Sequence, residues 1–157
     1  MESNFNGLNF GKHLEDKLFE KLVALGYIET IANEEKLKRQ WGWQAASVDY
    51  LLEVCGMVIP IQCKWRRSRR RENKGINNFL GSIKYLTEKQ EKVVLFGLWV
   101  SRVIPFDDNR EVLYGKHIFV VSDFNSIDWL VEKAITIIED KLRSSGLIHS
   151  SLFAQSS

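Results

Sequence analysis

The stretch from Ser47 to Trp65 constrains the fold most. It reads Ser-Val-Asp-Tyr-Leu-Leu-Glu-Val-Cys-Gly-Met-Val-Ile-Pro-Ile-Gln-Cys-Lys-Trp, two apolar strands joined by a tight turn at Cys55-Gly56. Side chains alternate between the faces of a strand, so Gln62 and Lys64 share one face and Ile61, Cys63 and Trp65 the other. A turn centred on Cys55-Gly56 pairs Val54 with Met57, Glu53 with Val58, Leu51 with Pro60 and Asp49 with Gln62. Opposed residues of an antiparallel pair point to the same face, about 5 Å apart at the β-carbons. Asp49, Gln62 and Lys64 are therefore expected to converge. A loop one residue longer or shorter would undo that register. Glu53 shares the face of Asp49 and is its rival, but it sits beside the turn, far from Gln62. Pro60 has no N–H to donate, which predicts a bulge or an unpaired side in its strand.

Other elements follow from periodicity. Leu14, Leu18, Leu22 and Leu25 recur at helical spacing and predict a helix from Gly11 to Leu25, with Gly26 as a left-handed cap. Glu15 lies at the border of its apolar face, where the bland reading is a snorkelled surface carboxylate. Residues 27–31 suit a short strand, and the charged residues 33–40 a loop or one helical turn. Trp41 and Trp43 suit packing more readily than base stacking. A second helix is expected from Ile76 to Lys89, with Ile76, Phe79, Leu80, Ile83 and Leu86 inward. Residues 92–100 read as a strand covered on both sides. Residues 103–116 read as a long loop and His117–Ser122 as another strand. Ser126 is a fair N-cap for a last helix to Arg143, with Ile127, Leu130, Val131, Ala134, Ile135, Ile138 and Leu142 inward. The layout is α/β, a central mixed sheet flanked by helices. Residues 1–9 are expected to form a flexible arm, 10–143 a single domain and 144–157 a Ser-rich, disordered tail.

The net charge of +2 does not by itself announce a nucleic-acid binder, but six of the eight residues from Lys64 to Arg71 are basic. Placed directly after the polar strand end, Arg66, Arg67, Arg69, Arg70 and Arg71 suit a phosphate-gripping loop. The alternatives are a solvated loop or a nuclear import signal. Cys55 and Cys63 would not face each other, which suits a reducing, intracellular setting, cytoplasmic or nuclear. Zinc-type Cys/His spacing is absent. No apolar run spans a bilayer, and the acidic, Asn-rich start does not read as a signal peptide.

With Glu15, Asp49 and Gln62-Cys63-Lys64 in view, residues 10–125 resemble the PD-(D/E)XK nuclease superfamily, and most the Mrr-type restriction endonuclease branch. Leu14-Glu15 and the apolar residues up to Gly26-Tyr27 look like that family's first helix. Val48-Asp49 looks like its metal-binding aspartate. Ile61-Gln62-Cys63-Lys64 looks like its strand motif in the QxK form, with Gln where Asp or Glu is usual. Asn77-Asn78-Phe79-Leu80-Gly81 is similar to the start of its next helix. Ala45, Ala46 and Ser47 stand where Mrr-like chains often carry a Gly.

The resemblance implies a restriction-endonuclease-like αβββαβ core and an endonuclease that hydrolyses DNA phosphodiester bonds with Mg2+, or Mn2+ in its place. It implies 5′-phosphate and 3′-hydroxyl products. Asp49, Gln62 and the Cys63 backbone carbonyl would be metal ligands, Glu15 would reach the metal through water, and Lys64 would orient the attacking water or stabilise transition-state charge. A chain of this size is expected to carry no separate target-recognition domain. That suggests a structure-selective enzyme acting on junctions, flaps or ends as a homodimer, or a catalytic module of a larger nucleoprotein complex. The alternatives are an inactive nucleic-acid-binding domain on the same fold and an assembly module.

Overall fold

The structure, a computed structural model, describes residues 7–124 and 126–148, with side chains from Gly11 onward. Five strands form one sheet in the order β1-β2-β3-β4-β5. They are β1 (Thr30–Asn33), β2 (Tyr50–Val54), β3 (Met57–Lys64), β4 (Gly97–Ser101) and β5 (Ile118–Ser122). β2 runs antiparallel to its neighbours β1 and β3, and β3, β4 and β5 run parallel. The helices are α1 (Gly7–Val23), α2 (Glu34–Trp41), α3 (Asn73–Glu88), α4 (Asp107–Gly115) and α5 (Ile127–Ser144). A 3-10 turn, Gly42–Ala45, follows α2.

The hairpin forms as its sequence dictates. Val54 pairs with Met57, Glu53 with Val58 and Leu51 with Pro60. Cys55 and Gly56 both take positive φ, 53° and 77°, the conformation a two-residue hairpin turn demands of both central residues. Cys55 is exposed, Cys63 is buried, and both are free thiols.

Pro60 shapes the sheet more sharply than a bulge would. The Val58 N–H donates toward the β4 side, to Val93 O at 2.8 Å. Alternation aims position 60 the same way, and proline has no donor to offer. The ladder lapses there, between an isolated Val58–Val94 bridge and β4, which starts at Gly97. Gly97 fits the gap because a β-carbon would come within 3.1 Å of Ile118 and 3.4 Å of the Pro60 carbonyl. The expected strand 92–100 is therefore split, and only its second half joins the ladder.

The two sheet faces carry separate cores. Leu14, Leu18 and Leu22 of α1 and Leu130, Ala134 and Ile138 of α5 cover Leu52, Ile59, Ile61 and Leu98. Burying each such leucine contributes about 1.5–3 kcal/mol. On the other face, α2, α3 and α4 bring Leu37, Ile76, Phe79 and Leu113 against Leu51, Val58 and Trp99. The crossovers β3-α3-β4 and β4-α4-β5 put their helices on this second face, so α1 and α5 have the first to themselves.

Several expected boundaries move. The first helix starts at Gly7 and ends at Val23, and Gly26 is not in the left-handed region. The arm expected over 1–9 thus loses 7–9 to α1, and 1–6 lie outside the described residues. Residues 33–40 build a true helix, because the Asn33 side chain accepts from Lys36 N and caps it. Residues 107–115, expected as loop, form α4 with Asp107 and Asp108 in its first turn, where acidic side chains favour the helix dipole. Ser126 caps α5 as expected, accepting from Trp129 N at 3.0 Å. Of the expected tail, Ile148 is buried and Leu147 packs on the first core; 149–157 lie outside the described residues. Among the described residues no helix is long and apolar enough to cross a membrane.

Candidate active site

Tyr50, the first residue of β2, holds α1 over the sheet. Its hydroxyl donates to the Glu15 backbone carbonyl at 3.0 Å, and its ring stacks on Phe19 with centroids 5.8 Å apart. The Glu15 side chain then faces two cavities. One, of about 300 Å³, is lined also by Asp49, Tyr50, Glu34 and Lys38. The other, of about 490 Å³, is lined also by Cys63, Lys64, Trp65 and Arg66. Lys12 borders both.

Asp49 is where the expected pairing changes. Its N–H donates to Ile61 O at 2.9 Å, yet Ile61 stands opposite Tyr50. Two consecutive residues thus address one partner, and the expected Asp49–Gln62 pair is not part of the ladder. Instead the Asp49 carboxylate takes the Cys63 N–H through Oδ2 at 2.7 Å. Only 8% of the residue is exposed. Burial, with the nearby Glu15 charge second, pushes its pKa up to about 7, while the Cys63 N–H and Lys64 pull the other way. Glu15, half-buried, is also raised, first by burial and then by Glu34. The Cys63 thiol is raised by full burial beside these acids, so it stays protonated and inert.

Lys64 lies at the mouth of the larger cavity. Its ammonium is 6.0 Å from the centre of the Trp99 ring. Gly75, in the first turn of α3, leaves space above it: a β-carbon there would touch Lys64 Cε at 3.5 Å and Nζ at 3.6 Å. Gln62 sits apart. It faces the second core beside its pairing neighbour Trp99, lines neither cavity, and its buried Oε1 has no hydrogen-bond partner. The structure thus brings together Glu15, Asp49, Cys63 and Lys64, and leaves Gln62 behind them.

The arginine run is largely committed to the fold. Arg66 grips the buried Glu72 with two hydrogen bonds, 2.9 and 3.2 Å. Arg69 donates to the carbonyls of Ile104 and Pro105 at 3.1 Å each, and Arg71 pairs with Asp108. Arg102 donates to the carbonyls of Arg66 and Arg67. Arg70 is the looser member, 61% exposed and 3.8 Å from Glu72. These bonds pin the loop after β3 to the segment before α4. Asn109, also buried, completes the latch by accepting from Glu72 N and donating to Asn73.

Sequence reasoning missed Glu34, Lys38, Glu72 and Asn109. For the first pair a signal existed: Asn33-Glu34-Glu35 is an N-cap followed by acidic residues, which starts a helix at the strand end that adjoins Asp49. Glu72 had a signal too, as the acid that closes the basic run six residues after Arg66. Asn109 had none, because its partners Glu72 and Asn73 are distant in sequence.

No family model, no curated protein and no solved structure matches this chain. What the coordinates define is the class, an α/β domain with a five-stranded mixed open sheet flanked by helices.

Among the described residues no group of three or more His, Cys, Asp and Glu is disposed to hold an ion. The donors at hand are the carboxylates of Asp49 and Glu15, with Glu34 on the same cavity. Magnesium retains several waters and needs few protein ligands. Burial first and a neighbouring acid second raise both carboxylates, and a bound cation would favour their charged forms.

Proposed function

We propose that this chain is a metal-dependent nuclease that hydrolyses DNA phosphodiester bonds, on a restriction-endonuclease-like core. The observation that carries the reading is Asp49, a buried carboxylate aimed by the Cys63 N–H and set beside Glu15, with Lys64 lining the adjoining cavity. Burying an acid against another acid costs stability, and such groupings concentrate at functional sites. Asp49 and Glu15 would hold Mg2+ or Mn2+, which when bound neutralises charge on the phosphate and acidifies water. Asp49 keeps one oxygen on Cys63 N and turns the other outward. Lys64, held between Trp99 and the start of α3, supplies a positive charge for the phosphate oxygens. Gln62, behind them, pairs with Trp99 across β3 and β4. Such an enzyme would be structure-selective, acting on junctions, flaps or ends, as a homodimer or inside a larger nucleoprotein complex.

A second reading, an inactive nucleic-acid-binding or assembly domain, is favoured by the neutral Gln62 set apart from both cavities. Lys64→Ala separates the two. Magnesium-dependent cleavage of DNA should fall about 10²–10³-fold while binding changes little. Cleavage at the wild-type rate removes Lys64 from the mechanism, and a wild-type chain that binds but never cuts favours the second reading.

A further inference from the structure

Trp41 and Trp43 look alike in sequence and differ in the fold. Trp41 is half-buried and packs against the second core. Trp43 is 80% exposed. The cause is Gly42. It breaks α2 with a φ of 77° while its N–H still donates to Lys38 O, and the chain leaves in a 3-10 turn. That turn is anchored from below: Ala45 is fully buried, and Ser47 N–H donates to Ser82 Oγ on α3 at 3.2 Å. An exposed indole thus stands on a fixed base.

One face of that indole is occupied. Lys38 places its ammonium 4.5 Å from the ring centre. The same ammonium is 2.7 Å from Glu34 Oε1, and Lys38 and Glu34 both line the cavity that holds Asp49 and Glu15. Lys38 therefore links the tryptophan to the candidate active site. Scattered exposed apolar residues are ordinary. An exposed indole on an anchored turn, backed by a cation and linked to the candidate active site, has the make-up of a stacking platform for single-stranded nucleic acid.

We propose that Trp43 stacks an unpaired nucleobase of the substrate, with Lys38 offering its charge to the adjoining backbone phosphate. This rests on the nuclease reading and deepens it, naming the substrate as nucleic acid with an unpaired or splayed end beside the cut. Each stacked base contributes enough to change affinity by about tenfold.

The test uses the full chain in EDTA, so that cleavage plays no part, with anisotropy on a labelled blunt duplex and on the same duplex with a splayed end. Trp43→Ala should weaken binding to the splayed DNA about tenfold and to the blunt DNA less than about twofold. Trp43→Phe should recover most of the loss. The position is exposed, so an unchanged melting curve is expected and confirms that the variants fold. No change on either DNA, or an equal loss on both, overturns the platform and leaves Trp43 as a surface for a protein partner. Wild-type chain that binds neither DNA overturns the nucleic-acid reading beneath it.

Discussion

Two buried acids flank the end of β3, and they live in opposite surroundings. Glu72 is 8% exposed and held by the Arg66 guanidinium through both its oxygens. Asp49 is equally buried, accepts one backbone N–H, and has Glu15 as its strongest charged influence. The first acid is matched and belongs to the scaffold. The second is mismatched, and the mismatch is what a cation site needs. The lesson is that charge density alone is a poor guide. The most basic run in the chain mostly holds a loop in place, while the sparser polar residues around Asp49 have the unsatisfied chemistry.

The largest expected effect is at the mismatched end. Lys64→Ala should cost about 10²–10³-fold in the cleavage rate with little change in melting temperature. At the matched end the pattern should invert. Glu72→Ala strands Arg66 against a closed loop and should cost about 2–3 kcal/mol in denaturant unfolding, less than a fully buried pair because Arg66 is partly exposed. If Glu72→Ala were neutral, the latch would not be part of the scaffold.

Asp49→Asn comes next, and its sign is opposite. The folded-state pKa of Asp49 is raised from 3.8 to about 7, so the folded chain holds the proton more tightly than the unfolded one. Its contribution is most favourable below pH 4, declines between about pH 4 and 7, and is a net cost above that. Asn can still accept the Cys63 N–H. Asp49→Asn should therefore stabilise the metal-free chain at pH 8 relative to the wild type and remove that decline. Equal stability of the two proteins from pH 4 to pH 8 would show that the fold does not raise the Asp49 pKa. The smallest effect is expected at Arg70, the loosely paired arginine. Arg70→Gln should lower the log-affinity against log-salt slope for DNA by about one, with no change in melting temperature. An unchanged slope would place even this arginine with the scaffold.

How far the sequence was legible follows the same division. The apolar hairpin was readable to the residue, because a two-residue turn and period-two alternation leave one register that buries both strands. The leucines of α1 and the Ser126 cap were equally plain. Residues 107–115 were not, since Pro105, the aspartates and Gly115 have turn-forming chemistry that also suits the ends of a short helix. At the site, the shared face of Gln62 and Lys64 was visible, and so was the border position of Glu15. That Asp49 would leave the ladder was not, because it depends on a bond between its side chain and the Cys63 N–H. Nor was the pairing of Arg69 and Arg71, whose partners at 104–108 lie across a whole helix and strand.

The proposed site at the end of the hairpin is tested most directly by incubating the chain with branched, single-stranded and duplex DNAs in magnesium or manganese, beside an Asp49→Ala control. Metal-dependent cleavage of at least one of these DNAs is expected from the wild-type chain, strongest where an unpaired end adjoins a duplex, and none from the control. Equal cleavage by both proteins, or none by the wild type on any DNA with either metal, would contradict the proposed site.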